Sequence, residues 1–399
     1  MSRSAPLALA ALTAVAAVLT ASPAQAHAPV AEGGPPPQRV HHAVTLHREP
    51  PKGSPRAVLA RMSLPQKVGQ LFMVGTPADE VDARTRGQIG RYHVGNVILT
   101  GRSYDGVRDP RRVSRTMQQQ VTRRTTAGVD LLVAADQEGG QVQVLQGSGF
   151  DDMPTALVQG TWSPATLRAH ARTWAGQLRR AGVNLDLAPV ADTVPSRRAA
   201  RHNPPIGRYD RELGFTPRRV ASHAVALVRG LAAGGVGATV KHFPGLGRVH
   251  ANTDTHAGVT DRVTTRHDAY LRPFARAVDA GAPAVMMSTA IYARLDPGRP
   301  AAFSPYVVGT MLRGDLGFDG VVVSDDLGGA AQVARVPMGQ RATRFLAAGG
   351  DLVLTVHPET LPAMYGAVLT RARDHAAFRA LVDGAALRIL RAKDDRGLL

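Results

Sequence analysis

Gly237-Ala238-Thr239-Val240-Lys241-His242-Phe243-Pro244-Gly245-Leu246-Gly247 is an apolar run that stops at a cation and an imidazole and then turns on two glycines. A loop of mixed polarity follows, down to Asp254-Thr255-His256. The chain has four lysines among 48 Lys and Arg residues, so a Lys here is no compositional habit. A short apolar run without alternation fits a parallel strand buried on both faces. Such strands carry chemistry at their C-terminal tips, which makes Lys241-His242 and the loop beyond them the edge of an active site.

Seven further runs of this kind can be marked. With Val236–Val240 they are Gly69–Val74, Val94–Leu99, Val129–Ala134, Val183–Leu187, Ala284–Met287, Gly320–Val323 and Asp351–Val356. Helical stretches alternate with them. In Pro164–Arg180, Leu167, Ala171, Trp174 and Leu178 recur on one face. Thr216-Pro217 reads as an N-cap followed by Pro at the first helical position, with Gly234-Gly235 ending that helix. Asp109-Pro110 suggests the same device for Asp109–Arg124. Arg266–Ala280, Ser304–Arg313 and Pro337–Ala348 are further helices, and residues 358–394 form one or two more. Eight β/α alternations point to a single α/β domain, a TIM-type (β/α)8 barrel. No glycine fingerprint of a dinucleotide fold follows the first strand.

The barrel is expected over residues 58–399. Residues 1–26 read as a signal peptide: Arg3, an apolar stretch from Leu7 to Leu19, then Ala24-Gln25-Ala26 as a cleavage site. Residues 27–57 are a Pro/Gly-rich tether without periodicity. An exported chain with no cysteine must be stabilised by its core alone. The net charge of +17 favours association with anionic wall polymers. No basic run interleaved with aromatics marks a nucleic-acid site, and no membrane span is expected. A monomer without cofactor is the expectation.

Four other strands end in polar tips: Asp136-Gln137-Glu138-Gly139-Gly140, Asp192, Ser288-Thr289 and Ser324-Asp325-Asp326. Acid, base and cation aimed at one centre suit glycoside cleavage, which needs a carboxylate at one face of the sugar and a proton donor at the leaving oxygen. Asp325, on a rigid strand tip, suits the first role. His256, with Asp254 able to hold its ring, suits the second. Asp136, Lys241 and His242 would grip ring hydroxyls.

These motifs resemble the N-acetyl-β-glucosaminidases of glycoside hydrolase family 3, in their single-barrel form, over residues 60–395. Leu312-Arg313 through Val321-Val322-Val323-Ser324-Asp325-Asp326-Leu327-Gly328 is similar to the family's active-site signature, whose Asp after Ser is the nucleophile. Lys241-His242-Phe243-Pro244-Gly245-x-Gly and Asp254-Thr255-His256 match the branch in which an Asp–His pair on a mobile loop is the general acid/base. The resemblance implies a substrate-binding arginine, for which Arg211 and Arg208 compete. The chain departs from the pattern at Leu246, where a His is common, and at Gln141 and Val144, where an Arg is expected.

The resemblance implies a retaining exo-β-N-acetylglucosaminidase, and with the leader it makes a secreted enzyme acting on peptidoglycan or chitin fragments the expectation. The alternatives are a β-glucosidase of the same family or a non-catalytic glycan-binding barrel. A metal hydrolase built on His242, His250, Asp254 and His256 is a further class, though it lacks the spacing of a zinc motif. Transfer of the sugar to phosphate in place of water is an open variant.

Overall fold

The computed structural model describes residues 53–399, so the signal-peptide reading and nearly all of the tether lie outside the described residues. The helix Pro55–Arg61, capped by Ser54, takes in the end of the stretch assigned to the tether. Eight parallel strands form the barrel: β1 (Phe72–Pro77), β2 (Asn96–Thr100), β3 (Leu132–Ala135), β4 (Leu185–Asp186), β5 (Gly237–Phe243), β6 (Ala284–Met287), β7 (Val321–Ser324) and β8 (Val353–Thr355). They neighbour one another in chain order, and β8 also pairs with β1. Closure comes from a parallel bridge between Val323 and Leu352, with the Ser324 N–H donating to the Leu352 carbonyl at 2.9 Å. Sequential parallel strands with intervening helices are the (β/α)8 architecture expected above.

The strands are apolar on both faces because one face fills the barrel and the other meets the helices. Phe72, Met73, Ile98, Leu99, Val240 and Val322 are all buried. The helices Pro164–Arg180 and Pro217–Ala233 form as expected, each with its side-chain cap (Ser163, Thr216). Trp174, Leu167 and Leu227 bury their faces between the two, each such side chain worth roughly 1.5–3 kcal/mol. The N-terminal face of the barrel is closed by Lys393, whose buried Nζ donates to Gln70 Oε1 and the Gly95 carbonyl, both at 2.8 Å.

Three local expectations fail for identifiable reasons. β1 begins at Phe72 and not at Gly69, because Val68 and Gly69 belong to the helix Leu64–Gln70, started by a Ser63–Gln66 capping box. Asp109 caps nothing. The helix starts at Arg108 without a side-chain cap, ends at Gln118, and a separate turn, Arg123–Thr126, starts at Thr122. The stretch expected as an α-helix at Ser304–Arg313 winds as a π-helix over Tyr306–Asp315. Among the described residues no helix is long and apolar enough to cross a membrane.

Candidate active site

The tips of β3, β5 and β7 open into one pocket of about 500 Å³ at the C-terminal face of the barrel. Asp136, Arg211, Lys241, His242, Asp254 and Asp325 all line it, above a floor of Ile98, Leu187, Met286 and Leu354. Six of the eight residues expected to act on substrate therefore meet in one place.

Lys241 is the centre of a buried charge cluster. Its Nζ lies 2.5 Å from Asp136 Oδ1 and 2.6 Å from Glu138 Oε1. Burial alone would lower the ammonium's pKa, but Asp136 and Glu138 outweigh it and hold Lys241 firmly charged. Glu138 in turn takes a bidentate pair from Arg211, at 2.8 Å to each oxygen. Burial opposes its ionisation, yet Arg211 and Lys241 hold its pKa at about 2. The Asp136 carboxylate is the exposed end of the chain, at 32% against 3% for Lys241, so it is the one free to receive a ligand's hydroxyls. The Gly139-Gly140 turn behind it needs glycine: Gly139 has φ +101°, and a Cβ there would run into the Pro154 carbonyl.

His242 is fixed by Asp192 at the mouth of β4. Asp192 Oδ2 lies 2.7 Å from Nδ1, and its Oδ1 accepts the backbone N–H groups of His242 and Leu246. The other ring nitrogen is thereby left for a ligand. Gly247 follows because its Cα lies against the Thr193 carbonyl, where a Cβ would come within 1.9 Å. Leu246, at the position where the family commonly has His, is buried and lines the pocket as an apolar wall.

Asp325 stands at the end of β7, accepting the Asp326 N–H at 2.9 Å. Burial, and then the nearby negative charge of Asp254, raise its pKa to about 6; His242 opposes the rise. Asp326 also borders the pocket, but its oxygens accept the backbone N–H groups of Gly328, Gly329 and Val356, so it serves the turn.

The two remaining candidates are elsewhere. His256 is exposed, does not line the pocket, and its Nδ1 lies 2.8 Å from Thr255 Oγ1 and not on Asp254. Asp254 faces Asp325 across the pocket, while the backbone of its segment is held by Ala331 and Gln332 N–H groups. Arg208 is exposed and lines a separate surface cavity with His250, so Arg211 is the arginine the fold delivers to the pocket. His250 and His256 thus diverge from His242. Among the described residues, no three His, Cys, Asp or Glu side chains are grouped to hold a metal. Val144 is buried in the core, and Gln141 is exposed with its carbonyl accepting from Arg102. Neither stands in for the missing arginine.

Sequence reasoning missed Glu138 and Asp186. Glu138 was visible within Asp-Gln-Glu-Gly-Gly, but its bond to Arg211 spans 73 residues. Burial raises the Asp186 pKa well above its ordinary value in spite of Lys241, and its Oδ1 accepts the Gln137 N–H. His357, at the mouth of β8, also lines the pocket.

The model of the glycosyl hydrolase family 3 N-terminal domain matches residues 63–392. The chain is 35% identical over 327 residues to a β-hexosaminidase of Xanthomonas campestris, covering 79% of this chain and 93% of that one. It is 34% identical over 330 residues to a β-hexosaminidase of Stenotrophomonas maltophilia, covering 79% and 92%. Among solved structures it is similar to the β-N-acetylhexosaminidase of Beutenbergia cavernae, with a TM-score of 0.82 and 52% identity over 84% of this chain and 99% of that one. A family 3 β-N-acetylglucosaminidase from Paenibacillus gives 0.77 and 32%, covering 84% and 63%.

Proposed function

Because this chain belongs to glycosyl hydrolase family 3 and is a β-N-acetylhexosaminidase of that family, we propose that it removes terminal N-acetylglucosamine with retention, through a sugar ester on Asp325. One observation carries this reading. A half-buried strand-tip carboxylate, Asp325, borders a pocket large enough for a sugar together with a cluster of fixed hydrogen-bonding groups. Asp136, Lys241, Arg211 and the free nitrogen of His242 would hold the ring hydroxyls, their geometry set before the sugar arrives.

In the first step a carboxylate oxygen of Asp325 bonds to the anomeric carbon as the bond to the leaving oxygen breaks. That oxygen takes a proton from His256. In the second, water attacks the same carbon, His256 takes its proton, and Asp325 leaves as carboxylate. This role for His256 requires the 252–258 segment to turn its ring inward, with Asp254 swinging from Asp325 to the imidazole. The segment's exposure and its few side-chain anchors are consistent with such a move. The leader-like residues 1–26 support export, and peptidoglycan or chitin fragments are the substrates such a location would offer.

Turnover of a chromogenic N-acetylglucosaminide should exceed that of the matching glucoside, and proton NMR of the earliest product should show the β-anomer. An α-anomer at early times would refute the ester. Preference for the glucoside would refute the substrate.

A further inference from the structure

A second cavity, of about 800 Å³, shares the 252–258 loop with the catalytic pocket. Asn252, Thr253 and Asp254 line the catalytic side, whereas Ala257 and Gly258 line the other. Four arginines from four separate segments border this cavity: Arg299, Arg335, Arg344 and Arg371. No carboxylate borders it.

Little neutralises these charges. Arg299 lies 3.4 Å from Asp296, half-exposed. Arg344 donates to the neutral amide of Gln340, and Arg371 lies over the Phe378 ring. Arg335 makes no ion pair among the described residues. Four cations around one concavity repel each other and concentrate negative potential partners there. Guanidinium groups are weakly hydrated and match carboxylate and phosphate oxygens two at a time.

We infer that this cavity is a binding site for an anionic glycan strand, one bearing carboxylate or phosphate groups, separate from the catalytic pocket. Its size and the spread of its arginines over four segments suit a chain with repeated charges better than a single small anion. A single-stranded nucleic acid would call for aromatic faces on which bases stack. The one aromatic ring in the lining, Phe303, is only 6% exposed. A glycan also suits the position. The inference goes beyond the hydrolytic reading and does not require it, yet a strand held here would lie along the loop that borders the hydrolytic pocket. It would touch Gln332, whose side chain clamps Val259 through both its N–H and its carbonyl.

The test is binding of labelled oligogalacturonate and of a short phosphomannan oligomer to the full chain at physiological salt. A neutral chitin oligomer and a DNA duplex of equal charge serve as comparisons. Binding by either anionic glycan is expected, and the stronger of the two identifies carboxylate or phosphate as the group recognised. Arg335→Glu/Arg344→Glu should weaken it about tenfold or more, the scale of a lost charge-assisted contact. Arg218→Glu/Arg229→Glu changes net charge equally on the helix Pro217–Ala233, which lines neither cavity, and should weaken it less than twofold. Both double variants should keep full kcat/KM on an aryl N-acetylglucosaminide, which separates failure here from failure of the catalytic reading. Equal losses in the two variants, no binding of either anionic glycan, or equally tight and equally Arg335/Arg344-dependent binding of DNA would overturn the assignment.

Discussion

The strand tips and the 252–258 loop border the same pocket but are built differently. At the tips the groups placed to grip a sugar are held in turn: Asp136 by Lys241, Lys241 by Glu138, Glu138 by Arg211, His242 by Asp192, and Asp325 ends the rigid strand β7. In the loop, Asp254 and His256 are exposed, and the segment is held mainly through its backbone. Groups that must grip a sugar in one geometry gain from rigid support. A group that must protonate one oxygen and later deprotonate a water gains from freedom to move. We propose from this contrast that the barrel carries binding and nucleophilic attack and the loop carries proton transfer.

The largest expected effect breaks the barrel side. Asp325→Ala should lower kcat by about 10⁴-fold or more, with thermal stability unchanged or slightly raised, since it removes a half-buried carboxylate whose ionisation is disfavoured by desolvation and by Asp254. A variant with substantial activity would place the nucleophile elsewhere. Next is the loop side. His256→Ala should cost natural disaccharides about a hundred- to ten-thousand-fold. Nitrophenyl glycosides, whose leaving group needs little proton, should suffer far less in the first step. Equal losses on both would make His256 a packing residue.

Smaller effects sharpen the contrast. Lys241→Ala should lower kcat/KM by about ten- to a hundredfold, the scale of ~1.5–3 kcal/mol for a lost charged hydrogen bond. It should also cost stability, by about 3 kcal/mol or more, because it leaves Asp136 and Glu138 facing each other without their shared cation. That second loss is visible only in the structure; the sequence treats Lys241 as a ligand for sugar alone. Arg211→Ala should behave likewise, and Arg208→Ala should change kcat/KM less than about twofold, as surface substitutions do. A melting curve and a kinetic run on each variant check all three. The subtlest effect is on pH. Attack needs ionised Asp325, so kcat/KM should fall as pH drops through about 6. Asp254→Asn removes the neighbouring negative charge, so Asp325 should ionise more readily and the acid limb should move to lower pH. An unmoved limb would mean that Asp254 does not face Asp325 in the free enzyme.

Much of this was legible in the sequence, for local reasons. Buried parallel strands announce themselves as uninterrupted apolar runs, and polar residues at their ends mark the mouth, so Asp136, Lys241 and Asp325 could be found without coordinates. What stayed hidden was contact over distance. Nothing near Glu138 reveals that Arg211 will clamp it, and nothing near Asp192 shows that it will hold His242. The boundary errors have local causes instead. Gly69-Gln70 reads into the first strand because the apolar run beyond it is continuous, although Ser63-x-x-Gln66 is a readable signal for the helix that ends there. Asp109-Pro110 resembles a cap, but the helix has already begun at Arg108, two residues before Pro110. The Asp254–His256 spacing suggested a preformed pair, whereas an exposed segment leaves the imidazole on Thr255.

The division of labour is tested most directly by intact-mass spectrometry of His256→Ala during turnover of a nitrophenyl N-acetylglucosaminide. With the barrel intact and the base absent, the sugar ester should form and persist. Peptide mapping should place one N-acetylhexosaminyl unit on Asp325, and added azide should discharge it as the β-glycosyl azide. An enzyme that shows no adduct, loses aryl and natural substrates in equal proportion and ignores azide would contradict the assignment of proton transfer to the loop.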